Sequence, residues 1–585
     1  MTYEKEIPEY AMVPAKEMEE RVITPVSKEA VYTAVQVSNI TEKPKTVITI
    51  EEDILVPDTK PDLARILLIE GTPHPASREI SQIGKGEDYL SVSGDIELQT
   101  LYLPEKQEGG EPMIAVQTRV PYQEQWHTTL TPGATLQMDT RIEKIEHMVI
   151  NERKYRVKIS LAIYAREYTE RNLELFEGIS GEEIQMQREK IEITNVAQRK
   201  TDTLHISQDL EIKAECPIEA ILRQDIAVVE NYKQVTGEKI VISGFICVNL
   251  LYRCREEAAF CENLHQAREK VEFTQFIPLQ SGATGAGSHI CFDGSDLKVK
   301  LVRGEDGEEL LRLEGDLLTE VEIYCNTEKE VIVDAYHREK DFLCDFQEEH
   351  CRTLVGTTMG ESSLREIFSP EVPGGEIERI LYTGGEISSG DSRCEQGKVV
   401  TEGTLTIKMI CLCAGDAETQ PQMLSVTEAV PFRVVTTIPQ LNGNESMRAQ
   451  MYIKDLWAEK INGKQIECNA SVLAMTEVMR EVPIQVLTNP AFAEGGSTQR
   501  PAPMVIYIVK PEERLWDIAK KYKSTVETIA EINHLEEESL QRMQAIANLL
   551  QFNPDASAYL LAEFRFQKTL ADIYKILADV AGINL

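Results

Sequence analysis

What this chain of 585 residues lacks narrows its class first. No cysteine precedes Cys216, and the 12 present include no Cys-x-x-Cys pair, so the usual zinc-ribbon and dithiol patterns are missing. Basic residues are outnumbered by acidic ones, 61 to 97, leaving a formal net charge of −36. Such a surface repels phosphate backbones and anionic headgroups, which argues against nucleic acid and anionic lipid as partners. No stretch reaches the roughly 18 uninterrupted apolar residues of a membrane span. The opening Met-Thr-Tyr-Glu-Lys-Glu carries no basic run leading into an apolar one, so no secretory signal is read and a cytoplasmic location is expected. His-Glu-x-x-His and Gly-x-Ser-x-Gly are absent, and His127, His205 and His534 have no carboxylate or cysteine at ligand spacing. The chain is therefore expected not to be an enzyme, with no catalytic residue, no metal and no cofactor.

What is present is ordinary globular composition, 42% hydrophobic and 27% charged, at a length that needs several cores. The cysteines read as reduced thiols buried in strands, with Cys411 and Cys413 on one strand face. Acidic pairs such as Glu51-Glu52 and Glu308-Glu309 read as solvated faces. Gly282 to Gly287 lacks the Gly-Lys-Ser/Thr ending of a phosphate loop and reads as a linker.

Three landmarks recur in step. A proline followed by Ile-Leu appears at Pro61 with Ile66-Leu67, Pro217 with Ile221-Leu222 and Pro373 with Ile380-Leu381, the prolines 156 residues apart each time. A glycine sits inside an alternating strand at Gly94, Gly244 and Gly403, marking a bulge or a close backbone approach. In the first of these, Val92, Ile96, Leu98 and Tyr102 alternate with Ser93, Asp95, Glu97 and Gln99, the period of a half-buried strand. Turns at Asn151-Glu152, Asp306-Gly307 and Asn462-Gly463 each lead into another strand, and Asp-Gly and Asn-Gly favour hairpins because both residues tolerate positive φ. An interval near 156 residues is too long for a solenoid repeat, so each copy is a whole domain. The fold class expected is mainly β: three tandem β-sandwich or barrel-like repeats built of short strands, followed by a small α+β module and a helical tail.

After Thr488, residues 489–503 have the Gly, Ser and Pro content of a linker. Residues 504 to 509 then read as a strand, with helices over Leu515 to Tyr522 and from the capping Thr525 to Asn533. Tyr507-Ile508-Val509, Leu515-Trp516-Asp517-Ile518-Ala519, Tyr522, Thr525, Ile529 and Asn533 together resemble a LysM domain, the β-α-α-β module that binds N-acetylglucosamine glycans. The family's Gly-Asp-Thr before Leu-Trp is replaced here by Glu512-Glu513-Arg514, and its closing Gly-x-x-Leu-x-Ile-Pro strand is not found. Trp516, Tyr522 and Ile529 are expected to form the module's own core. A ligand groove, if kept, would involve Pro511, Glu512, Glu513, Arg514, Leu515, Asn533 and His534. The tail from 537 to 585 reads as amphipathic helices or as an altered version of the missing strand.

The repeats, the Val56-Pro-Asp-Thr-Lys-Pro-Asp-Leu-Ala-Arg-Ile-Leu67 segment and the terminal module together resemble the SipL-type spore-coat morphogenetic proteins. That resemblance implies a mother-cell protein at the forespore surface, a scaffold joining a coat-basement ATPase to the growing spore coat. It also implies a LysM module that binds the protein partner, which suits a copy without the Gly-Asp-Thr loop. The competing reading is a peptidoglycan-binding protein that grips glycan through the same module. The expected organisation is an N-terminal segment 1–25, β-rich repeats at 26–185, 186–340 and 341–488, the linker 489–503, the LysM-like module 504–536 and the tail 537–585.

Overall fold

The computed structural model describes residues 23–25, 29–82, 88–105, 111–131, 133–212, 217–255, 263–280, 287–303, 309–372, 375–388, 390–395, 397–414, 422–493, 505, 507, 509 and 513–535. A short β1 (Ile23–Pro25) precedes the first repeat. There, β2 (Ala30–Glu42) and β3 (Thr46–Leu55) pair with one edge of β8 (Lys154–Ile179), and β7 (Thr135–Asn151) with the other. The meander of β4 (Leu63–Gln82), β5 (Asp88–Pro104) and β6 (Ile114–Thr128) makes the facing sheet.

The second repeat writes the same plan again. Its first sheet sets β9 (Ile184–Asp209) against β15 (Glu309–His337), with β13 (Gly287–Asp293) and β14 (Lys298–Arg303) beyond. Its meander is β10 (Ile218–Val235), β11 (Lys239–Cys254) and β12 (Leu264–Pro278). In the third, β16 (Asp341–Phe368), β22 (Gln465–Ala493) and β21 (Ser446–Asn462) face the meander of β17 (Glu376–Ser388), β19 (Lys398–Ala414) and β20 (Gln422–Thr437). The small β18 (Ser392–Glu395) adds to β19. All pairings are antiparallel, so the chain is a run of two-sheet β domains as its patterning implied. The strands are longer than the alternation suggests, reaching 29 residues in β15 and β22. Each repeat's last strand crosses its own sandwich and then continues beside the repeat's first strand into contacts with the other repeats. β22 runs on to Ala493, into the stretch whose composition reads as linker, because its end pairs with Asp341–Leu343 and with β1.

The landmarks have physical causes. The Ile-Leu pair sits on a double bulge, with register shifts at Leu63/Arg65 and Ile66/Leu68, at Ile218/Ala220 and Ile221/Arg223, and at Ile377/Arg379 and Ile380/Tyr382. A bulge inserts one residue and turns neighbouring side chains to opposite sides. Ile66, Ile221 and Ile380 therefore pack into their own sandwiches, while Leu67, Leu222 and Leu381 meet in a cluster between repeats. The strand glycines lie opposite aromatics, Gly94 facing Tyr122, Gly244 facing Phe273 and Gly403 facing Phe432. A Cβ on Gly403 would stand 2.6 Å from the Phe432 ring, so the glycine is needed for the ring to lie across the strand. Two-residue turns close the hairpins where Asn151 pairs with Lys154 and Asn462 with Gln465. Pro373 and Asp306-Gly307 lie outside the described residues, although Arg303 and Glu309 pair across the latter. Among the described residues nine cysteines are free thiols, and Cys411 and Cys413 share the third core. Cys254, however, is disulfide-bonded, which corrects the expectation of uniformly reduced thiols; it lies at the mouth of the β11–β12 hairpin, where its amide donates to Asn263 O at 2.9 Å.

The three repeats are grouped around shared cores in a pseudo-threefold arrangement. One cluster collects Leu67, Leu101 and Met113 from the first repeat, Leu222, Leu251 and Leu264 from the second, and Leu381, Ile410 and Met423 from the third. Because that cluster covers the outer face of each meander, the last residues of β11, Leu250 to Cys254, are buried on both faces. Two further clusters join the far ends of the long strands. Val37 and Leu173 meet Ile193 and Val331 with Cys351 and Ile484, and Phe176 meets Ile332 and Phe492. β1 pairs with the end of β22, so the chain preceding the first repeat zips onto the last strand of the third.

One charged group interrupts the first of these shared clusters. Arg223, only 4% exposed, occupies the place after the bulge that Leu68 and Tyr382 take in the other repeats. Its Nε donates to Tyr382 Oη at 2.8 Å, and Nη2 pairs with Glu70 and, at 2.5 Å, with Asp225. Lys408 Nζ reaches Glu70 at 2.8 Å. Burial pushes the Glu70 carboxyl up, but Arg223 and Lys408 more than offset this and hold it below its usual range. Among the described residues no helix is long and apolar enough to cross a membrane.

Candidate functional site

The described residues of the C-terminal module include two helices, α1 (Leu515–Lys521) and α2 (Val526–Ile532). Asp517 caps α1 by accepting from the Arg514 amide at 2.9 Å, and Thr525 caps α2 by accepting from the Thr528 amide at 3.0 Å. Ile518 and Ala519 are buried, and Tyr522 meets Tyr507 edge-on at 5.5 Å.

The groove residues read from the sequence divide. Pro511 and Glu512 lie outside the described residues. Glu513 accepts from Tyr507 Oη at 2.6 Å, and Leu515 opens α1. Arg514 gives its amide to the cap, and the Asn533 side chain donates to Ile529 O at 2.8 Å, closing its own helix. His534 is exposed at φ 53°, with its amide on Glu531 O. Arg514 and Asn533 thus both turn polar groups back on their own helices.

Trp516 is used differently from the core role its spacing implies. It packs edge-on against Tyr336 of β15 with ring centroids 5.0 Å apart, and its indole N–H donates to Asp334 Oδ2 at 2.7 Å. Lys520 Nζ pairs with Asp334 at 2.6 Å, Lys523 Nζ pairs with Asp341 at 2.8 Å, and Tyr336 Oη donates to Ser524 O at 2.6 Å. α1 and the turn after it are therefore seated on the junction of the second and third repeats. No local pattern in the sequence carries this contact, because its two halves are about 180 residues apart.

A second polar site lies in the seam between repeats, a cleft of about 210 Å³ lined by Glu230, Lys233, His289, Arg448, Gln450 and Glu477 among others. His289 Nδ1–H donates to Glu477 at 2.8 Å, and Gln450 Nε2 approaches His289 Nε2 at 3.3 Å, which places the ring proton on Nδ1. Tyr324 Oη is 3.3 Å from both Glu322 and Glu477, Arg448 is 3.5 Å from Glu322, and the Arg199 guanidinium lies 3.6 Å over the Tyr168 ring. Burial lowers the His289 pKa and outweighs the Glu477 carboxylate, while burial raises Glu230 despite Lys233. His289 was not singled out by the sequence, since its partners come from strands distant in the chain.

This cleft predicts a pH dependence. A histidine held neutral in the fold but free to take a proton when unfolded contributes stability above its usual value of 6.5, and loses it as pH falls below. Between pH 7.5 and 5.5 the loss should reach at most about 1.4 kcal/mol in denaturant unfolding, and His289→Gln should remove that component. An unchanged acid dependence in the variant would refute the assignment.

Three tandem β repeats with a C-terminal LysM-like helix pair define the class. Residues 217–299 match the family described as SipL, SPOCS domain, and residues 507–541 match the LysM domain. The first match covers the meander and β13 of the second repeat, whose strand order the other repeats share. Together they are the two parts of a SipL-type architecture with LysM, and they mark a sporulation-related chain with a module of the kind that can bind peptidoglycan. No curated protein and no solved structure matches the chain.

Proposed function

We propose that this protein is a non-enzymatic scaffold in spore-envelope assembly, acting at the forespore surface in the mother cell. It binds protein partners, among them a coat-basement ATPase, through its repeats and its LysM module. The observation that carries this reading is the grouping of three like domains around shared cores, which presents several related outer faces on one chain and favours multivalent attachment. The seam cleft supports it as well, because its ionisable groups are partnered by one another. The alternative is a peptidoglycan-binding protein, favoured by the LysM match itself.

The test uses the full chain and a chain ending at Ala493. A fluorescent fusion of the full chain should ring the forespore, the shortened chain should be diffuse, and the purified full chain should sediment poorly with peptidoglycan. Strong sedimentation that N-acetylglucosamine oligomers compete away, with no forespore ring, would replace this function by the alternative.

A further inference from the structure

The docked face of α1 deepens the protein-binding reading of the module and rests on it. With Lys523 just past the helix, its chemistry is an indole flanked by two ammonium groups, and it is filled by the end of β15 and the start of β16, which place a tyrosine between two carboxylates. Every polar group in that contact is matched: the indole N–H and Lys520 share the two oxygens of Asp334, Lys523 takes Asp341, and Tyr336 donates to the backbone of Ser524. The pseudo-equivalent strand ends do not offer this pattern. β8 ends in Phe176-Glu177-Gly178-Ile179 and β22 in Asn489-Pro490-Ala491-Phe492-Ala493, whereas β15 supplies Asp334-Ala335-Tyr336. One of three related ends has thus acquired the complement of the helix face.

We propose that the face formed by Trp516 and Lys520 of α1 with Lys523 just beyond it is a protein-docking surface for a segment carrying an aromatic ring between carboxylates across a bend, kept occupied in the resting chain by the chain's own Asp334 to Asp341 segment. A partner of that chemistry engages the module by displacing the internal Asp334 to Asp341 segment.

The probe is a labelled peptide with the sequence of residues 331–343, titrated into full-length protein. Asp334→Lys opens the latch and leaves the α1 face intact, so it should bind the peptide at least tenfold more tightly than the wild-type chain. Adding Trp516→Ala to Asp334→Lys should abolish that binding, and a peptide with Tyr336→Ala should not bind. Hydrogen exchange at residues 515–521 should rise at least tenfold in Asp334→Lys and return toward wild type in the charge swap Asp334→Lys with Lys520→Asp. The proposal is overturned if the peptide binds neither chain or both equally, if exchange is unchanged in Asp334→Lys, or if N-acetylglucosamine oligomers displace the peptide. A failed peptide test with module-dependent forespore localisation intact removes this surface and leaves the scaffold function standing; lost localisation with intact peptide binding does the reverse.

Discussion

Replacing Arg223 by alanine should cost about 3–5 kcal/mol of stability, the range for removing one partner of a buried charge pair. The guanidinium is nearly fully buried and pairs with Glu70 from the first repeat, Asp225 from its own, and Tyr382 from the third. Without it, two carboxylates and a phenol face one another inside the shared core, with Lys408 left to compensate Glu70 alone. Tyr382→Phe removes a hydrogen-bonding group but strands no charge, so about 1 kcal/mol is expected. Replacing Arg223, Glu70 and Asp225 together by apolar residues of similar volume should recover most of the loss. Guanidinium unfolding curves measure all three. A loss in Arg223→Ala no greater than in Tyr382→Phe would show that the network does not hold the repeats together.

Gly244→Val should cost about 3 kcal/mol, at the upper end for overpacking a core. A Cβ at Gly244 would lie 2.8 Å from the Phe273 ring and would also strike the Val229 carbonyl oxygen. The ring cannot withdraw freely, because Phe273 is itself held edge-on to Phe292 at 5.6 Å. Backbone on one side and a pinned aromatic on the other leave no cheap relaxation. Gly237, in the β10–β11 turn, has nothing within 4 Å of a built Cβ, so Gly237→Val should stay within about 0.5 kcal/mol of wild type. Equal effects of the two substitutions in the same unfolding assay would sink the explanation of the strand glycines.

The repeat was legible because its landmarks are local. The bulge, the strand glycine and the hairpin turn each need a particular residue type within a few positions, and that need survives divergence of the surrounding sequence. The way the repeats pack together was not legible, because it depends on side chains from three distant segments. Leu67 and Leu222 look like ordinary core residues, and only the bulge sends them outward into a common cluster while Ile66 and Ile221 stay inside. The long strands were underestimated because charged residues such as Arg188 and Glu330 interrupt the alternation where β9 and β15 run on as a ribbon. In the module, the spacing of α1 and α2 and the cap at Thr525 could be read directly. Trp516 could not be placed, since a core tryptophan and a docking tryptophan on the same helix have the same spacing.

The pairing of β1 with the end of β22 matters for how the protein is made. On the ribosome the first repeat emerges long before residue 493, and at about 5–20 residues per second the interval is on the order of tens of seconds. Until the third meander has followed, Leu67, Leu101 and Met113 have no third neighbour to cover them, and until β22 is complete the β1 edge has no partner strand, so the nascent chain exposes an oily, strand-edged face that a holding chaperone would recognise.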